Sequence, residues 1–260
     1  MSFIIFFKKE ITELIKTVKG IVLAIIFLVI GISSPLIEKL TPEILKMAGV
    51  SGSSEEMALL SALIPTPTSQ TSYVQFFGNF NTIGLLVLII VFAGIVANEK
   101  SKNTGSYILT KNISRTQFVL SKFTSSVVFT FVSLVVSMGA MVFYTSYLFD
   151  DGLVNISNVL LFFAMLFLYL IFILAIVLFS SILTKTVTSA TFLAFIIFIA
   201  VNILSSVPKI GKFLPPRIND AGIVLQTTNI GSLTVNIIIT VICTAVVVFA
   251  GVKLFNRQEL

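Results

Sequence analysis

The sequence predicts an all-α, polytopic membrane protein with six transmembrane helices and an N-terminal amphipathic interface helix. Three observations carry that expectation: an excess of apolar residues, several separate apolar runs of spanning length, and basic residues held in the short flanks between them. Of 260 residues, 57% are hydrophobic and 11% charged, with a mean hydropathy of +1.09. A soluble domain carries roughly a quarter of its residues as charges, and a water-soluble core could not bury this much apolar surface. Runs of about 20 apolar residues match a hydrocarbon core roughly 30 Å thick. Helices fit such runs because each pairs its backbone groups within one segment. The net charge of +6 comes from 17 basic residues scattered through the flanks, so they read as topology signals and no nucleic-acid partner is expected.

Residues 1–19 open the chain. Ile4, Phe7, Ile11, Leu14, Ile15 and Val18 fall on one helical stripe, with Lys8, Lys9, Glu13 and Lys16 elsewhere around the helix, the pattern of a helix lying in the membrane interface. No A-x-A cleavage pattern follows Ile30, which argues against a signal peptide. The first span is expected over residues 20–37, ending near Pro35. In the polar stretch 38–72, Thr41 with Pro42 reads as a helix start and Gly49 as its stop, while Ser53 and Glu56 form a second capping box. Pro65 and Pro67 then break the chain. Spans two and three are expected over 73–97 and 122–149, with the polar loop 98–121 between them. Residues 158–207 carry one charge, Lys185, and at 1.5 Å per residue are too long for a single crossing. They divide at Thr184–Thr186 into spans four (159–183) and five (187–207). A Pro-rich excursion, 208–232, precedes span six at 233–254.

Orientation follows from Lys and Arg. With the N-terminus inside, twelve of the 17 basic residues fall on inner segments, which favours both termini in the cytosol of a multi-pass cell-membrane protein. The loop holding Lys209, Lys212 and Arg217 dissents, being basic although outside.

Several chemistries are excluded or disfavoured. The single cysteine, Cys243, lies in the last apolar run, so no intrachain disulfide or CxxC site exists, and the absence of histidine removes His-metal and Ser-His sites. Catalytic residues and metal sites are therefore expected to be absent. The phosphate loop G-x-x-x-x-G-K-[ST] is missing, since Gly211 and Lys212 precede Phe213 with no glycine at the earlier position. No span carries an ionisable residue near its middle, which counts against a proton-coupled or ion-coupled carrier. Polar residues in the spans, notably Asn202, Ser205 and Ser206 in span five and Asn236 in span six, are either helix-to-helix hydrogen-bonding groups or part of a substrate path.

The inner loop is the most informative segment. Ser114 and Gln117 form a capping box ahead of span three, and Tyr107, Ile108 and Leu109 place an apolar knob among charges, a combination that a soluble partner could grip. The order Glu99, Lys100, Ser101, Lys102, Asn103, Thr104, then Ile108, Leu109, Thr110, Asn112, Ser114, Arg115 and Lys122 resembles the inner loop of ABC type 2 exporter permeases. That loop has a pattern like E-R-E-R-G-T, then L-L-S-x-P-x-S-R and a following Lys. The chain departs from it at Ser101, Asn103 and Asn112. The layout of the whole chain is also similar to that family's: amphipathic helix, six spans, outer segment after span one, and Pro-rich excursion before span six.

The resemblance implies a permease that works with a second copy or a close paralogue and with two separate ATPase subunits, which would hold ATP and Mg. It implies that Glu99 and the segment Thr104, Tyr107, Ile108, Leu109 couple to the ATPase, with Arg115 and Lys122 at the inner start of span three. The amphipathic helix would hug membrane lipid, and spans one and five would face the dimer interface. The expected function is passage of an amphipathic or hydrophobic cargo, such as a peptide, toxin, antimicrobial, lipid or drug, with small exporters of such peptides and self-immunity systems as the leading subgroup. Asn202, Ser205 and Asn236 are the candidate cargo path. An ATP-independent carrier or channel, or a membrane scaffold, are the rival expectations.

Overall fold

Six helices of the computed structural model are long and apolar enough to cross a membrane, and every element among its described residues (3–47, 67–102, 114–150, 156–207, 211, 214–219 and 231–258) is helical. The chain is a multi-pass, all-α membrane protein. Helix α1 (Phe3–Lys16) turns at Thr17 into α2 (Val18–Met47). The second span is assembled from α3 (Ser69–Asn79), a π turn at Phe80–Gly84, α4 (Leu85–Phe92) and α5 (Gly94–Ser101). Then follow α6 (Arg115–Leu148), α7 (Ile156–Leu183), α8 (Val187–Ser205), a 3-10 turn at Pro215–Asn219, and α9 (Gly231–Arg257).

Local chemistry fixes three of the starts. Thr68 caps α3 in a box with Thr71, Ser114 caps α6 in a box with Gln117, and Thr186 caps α8 through Ser189 N–H, each satisfying an orphan donor of a first turn. One expectation is corrected. α2 does not stop near Pro35 or restart at Thr41; it runs through Pro35 and Pro42 to Met47. Each proline removes one rung of the ladder, and in a membrane neighbouring groups re-satisfy the backbone. Ser34 Oγ donates to Ile30 O at 2.6 Å and receives Asn79 Nδ2 at 3.0 Å. Thr41 Oγ1 donates backwards to Ile37 O at 2.6 Å instead of capping a new helix. The second span likewise starts at Ser69 and reaches Ser101, and α6 starts at Arg115, so the connection between them is shorter than the expected 98–121. The expected box at Ser53–Glu56 lies outside the described residues.

α7 is the central helix: 61% of its most apolar window is buried, against 11% for α8 and 22% for α9. α2 packs along α6, and α8 and α9 pack on α7. Close approach of α2 and α6 rests on Gly31, where an added Cβ would lie 2.3 Å from Ser137 O, and Ser137 Oγ donates to Phe27 O across the same crossing. Small residues and hydroxyls at a crossing are the usual glue where lipid removes the hydrophobic drive between helices. The outward faces, such as Phe192, Ile196, Ile199 and Ile203 on α8, are large and apolar, as contact with acyl chains requires. On α1, Ile4 and Ile15 of the apolar stripe are exposed, Leu14 packs against the core, and Phe6 and Glu10 face the bundle.

Candidate functional site

The end of the bundle that carries both chain termini holds a buried ionic cluster. On α1, Phe6 and Glu10 stand one turn apart on the inward face; on α6, Phe118 and Lys122 do the same. The two pairs meet. Phe6 packs on Phe118 with ring centroids 5.7 Å apart, and Lys122 Nζ lies 3.0 Å from Glu10 Oε2. Glu99, near the end of α5, completes the cluster at 2.8 Å from the same Nζ. The side chains are 5% (Lys122), 8% (Glu10) and 14% (Glu99) exposed. Lys9 lies 3.7 Å from both Glu10 and Glu13 at the rim, and Lys122 sits over the Phe118 ring at 5.3 Å. A small cavity of about 130 Å³ opens beside the cluster, with Lys19 and Asn98 in its wall. Burial of one ammonium between two carboxylates is tolerated because attraction offsets desolvation only when the partners stay in place. The cluster therefore ties α1, α5 and α6 to one another.

A second set of bonds ties the same end to α7 and α9. Lys100 Nζ donates to Ile182 O and to Gln258 Oε1, the latter at 2.6 Å, and Gln258 Nε2 donates to Ile182 O at 3.1 Å. Arg115 donates to carbonyls at the end of α9, Phe255 O and Asn256 O, and just beyond it, Gln258 O. A guanidinium at that position satisfies orphan acceptors and opposes the helix dipole. Phe118 stacks on Phe255 at 5.5 Å and 9°. The helix break at Ala93 leaves the first amides of α5 without partners in their own helix, and Ser181 Oγ of α7 accepts from Val96 N and Ala97 N at 3.0 and 2.9 Å. Glu99 thus sits on a short helical piece whose Val96 and Ala97 amides are held by Ser181 of α7.

Of the residues the sequence singled out, Glu99 and Lys122 are bonded to each other, and Arg115 grips the end of α9. Thr104, Tyr107, Ile108 and Leu109 lie outside the described residues. Asn202 and Ser205 bond within their own helix: Asn202 Nδ2 donates to Phe198 O at 2.9 Å, while Ser205 Oγ and Ser206 Oγ donate to Asn202 O. The carbonyl of buried Asn236 accepts from Thr240 Oγ1 at 2.7 Å. Among the described residues no hydrogen bond joins Asn236 to Asn202 or Ser205. The sequence alone did not single out Glu10, Ser181 or Gln258, and it placed Lys100 only in the inner-loop pattern. For Glu10 a signal existed: it is the acid four residues after Phe6 in a segment that is otherwise rich in lysine. No group of three metal-ligating acid, Cys or His side chains occurs among the described residues.

Comparison with known proteins gives two findings. The chain is 26% identical over 144 residues to the uncharacterized transmembrane protein YxlG of Bacillus subtilis (strain 168), covering 55% of this chain and 54% of that protein. The match therefore spans about half the length of that relative. Residues 53–260 match the family described as "protein of unknown function (DUF2705)", and the chain belongs to that family.

Proposed function

We propose that this chain is the membrane-spanning permease subunit of an ATP-driven exporter, with both termini in the cytosol of the cell membrane. It passes an amphipathic or hydrophobic cargo, pairs with a second copy or a paralogue, and takes its driving force from two separate ATPase subunits that bind ATP and Mg. The observation that carries the reading is the Lys122–Glu10–Glu99 cluster. It joins the helices on either side of the 103–113 segment to α1, at the end of the bundle where a cytosolic companion would press. Movement of that segment reaches α5 through Glu99 and α6 through its capped start, and a buried ionic joint transmits it because separating its members costs several kcal/mol. The missing phosphate loop supports a separate nucleotide-binding chain, and the inner-loop resemblance names the class of companion.

The test is reconstitution in liposomes with the cognate ATPase. Replacing Tyr107, Ile108 and Leu109 together by alanine is expected to lower cargo-stimulated ATP hydrolysis and export about thirtyfold, the effect of removing one hot-spot contact, with thermal unfolding unchanged. Unaltered stimulation and export in that variant would overturn the coupling assignment. An ATP-independent carrier or channel is the second reading. Cargo movement by the purified chain alone, driven by an ion gradient, would favour it.

A further inference from the structure

A groove of about 900 Å³ runs along the outside of the bundle between α6, α7 and α9. Its walls are apolar, formed chiefly by Phe123, Leu168, Ile171, Val248 and Phe249, and no acidic side chain lines it. At the end nearest the chain termini the character changes. Asn256 Nδ2 donates to Thr116 Oγ1 at 3.3 Å across the mouth, and Lys253, one turn before Asn256, brings an exposed ammonium to the rim. From Lys253 to Val241 the groove follows twelve residues of α9, about 18 Å at 1.5 Å per residue. One leaflet of the hydrocarbon core is about 15 Å deep. A long apolar trough of one leaflet's depth, closed by a cation and two neutral hydrogen-bonding groups at headgroup level, has the chemistry of a single phospholipid site.

We propose that this groove is a binding site for an anionic phospholipid: one acyl chain lies in the trough and the phosphate sits against Lys253, with Asn256 and Thr116 beside it. The occupant is anionic because the groove lining supplies one positive charge and no negative one, and a lysine at the membrane surface favours an acidic headgroup. It is a lipid rather than a protein helix because the only charge in the lining sits at one end, and the hydroxyl of Thr244 farther along the trough is spent on Thr240 O of its own helix. Lipid bound there joins α6 to α9 along their length, next to the Arg115 and Phe118 contacts that hold the two helices at the terminal end.

The experiment uses the full chain, purified in mild detergent and offered phosphatidylglycerol or phosphatidylcholine with the same palmitoyl and oleoyl chains, read by native mass spectrometry and thermal unfolding. Wild-type protein is expected to retain phosphatidylglycerol with a roughly fivefold preference, the scale of one lysine meeting an anionic headgroup, and to gain thermal stability from it. Lys253→Gln should remove the preference while both lipids still bind. Ala245→Trp, which fills the trough, should remove retention of both. Lys16→Gln, on the outward face of α1, should change neither. Equal retention of the two lipids by wild type, or an undiminished preference in Lys253→Gln, would overturn the assignment. So would efficient disulfide formation between two Val248→Cys chains, which would give the groove to a second copy instead.

Discussion

Replacing Lys122 with Met is expected to destabilise the fold by roughly 3 to 5 kcal/mol, the cost of leaving one side of a buried ion pair without its partner. The ammonium is the common partner of Glu10 and Glu99 at 3.0 and 2.8 Å, so its loss takes the nearest cation from both buried carboxylates and leaves Glu10 with Lys9 at 3.7 Å on the rim. The cheapest escape is for α1 to lift away and carry Glu10 into solvent. Trypsin should then cut after Lys8, Lys9 or Lys16 in Lys122→Met far faster than in wild type, and the thermal midpoint should fall. The triple variant Lys122→Met, Glu10→Gln, Glu99→Gln separates charge from shape. Neutral groups of similar size remove the stranded charges, so most of the lost stability should return. A single variant as stable as wild type would mean that the cluster does not hold α1.

Gly31→Val is the second large effect. The crossing of α2 and α6 leaves no room for a side chain there, since the first added carbon would lie 2.3 Å from Ser137 O and 3.0 Å from Ser137 C. The obstacle is backbone and cannot rotate aside. The helices must separate, which also strains the Ser137-to-Phe27 bond one turn away. Overpacking of this kind costs about 1 to 3 kcal/mol, and a clash with a rigid carbonyl belongs at the upper end. Gly139→Ala is the matched control: it lies on the exposed face of α6, and an added Cβ there meets nothing within 4 Å. Unfolding in detergent should show a sharp drop for Gly31→Val and none for Gly139→Ala, whose helix propensity improves.

The features legible from sequence were those that physics makes local. A span must be apolar for about 20 residues, so six were countable. The Ser114–Gln117 box and the break around Lys185 depend on neighbours within four residues. What escaped depends on distant partners. Pro35 read as a stop, and Pro42 after Thr41 as a new start, because a proline's own backbone forbids a rung; only the packed structure reveals Asn79 bonded to Ser34 beside the first of them. Glu10 and Lys122 are 112 residues apart, and nothing in either local sequence announces the other. Glu99 and Lys122 were chosen as surfaces for a companion, yet they lie largely buried and bonded together, so a push from outside would reach them through the adjoining segment. Asn202 and Asn236 show the converse. A polar residue in an apolar run looks like a path for cargo, but Asn202 donates to Phe198 O of its own helix, and Asn236 accepts from Thr240 of its own.

The most direct test of the exporter reading is to isolate the tagged full chain from its native membranes in mild detergent, with ATP and Mg present, and identify what remains bound. The account predicts an ATPase carrying a phosphate loop, at one copy per permease chain, lost when Tyr107, Ile108 and Leu109 are alanine. Recovery of the intact chain without any nucleotide-binding protein, together with cargo movement by that chain alone, would contradict it.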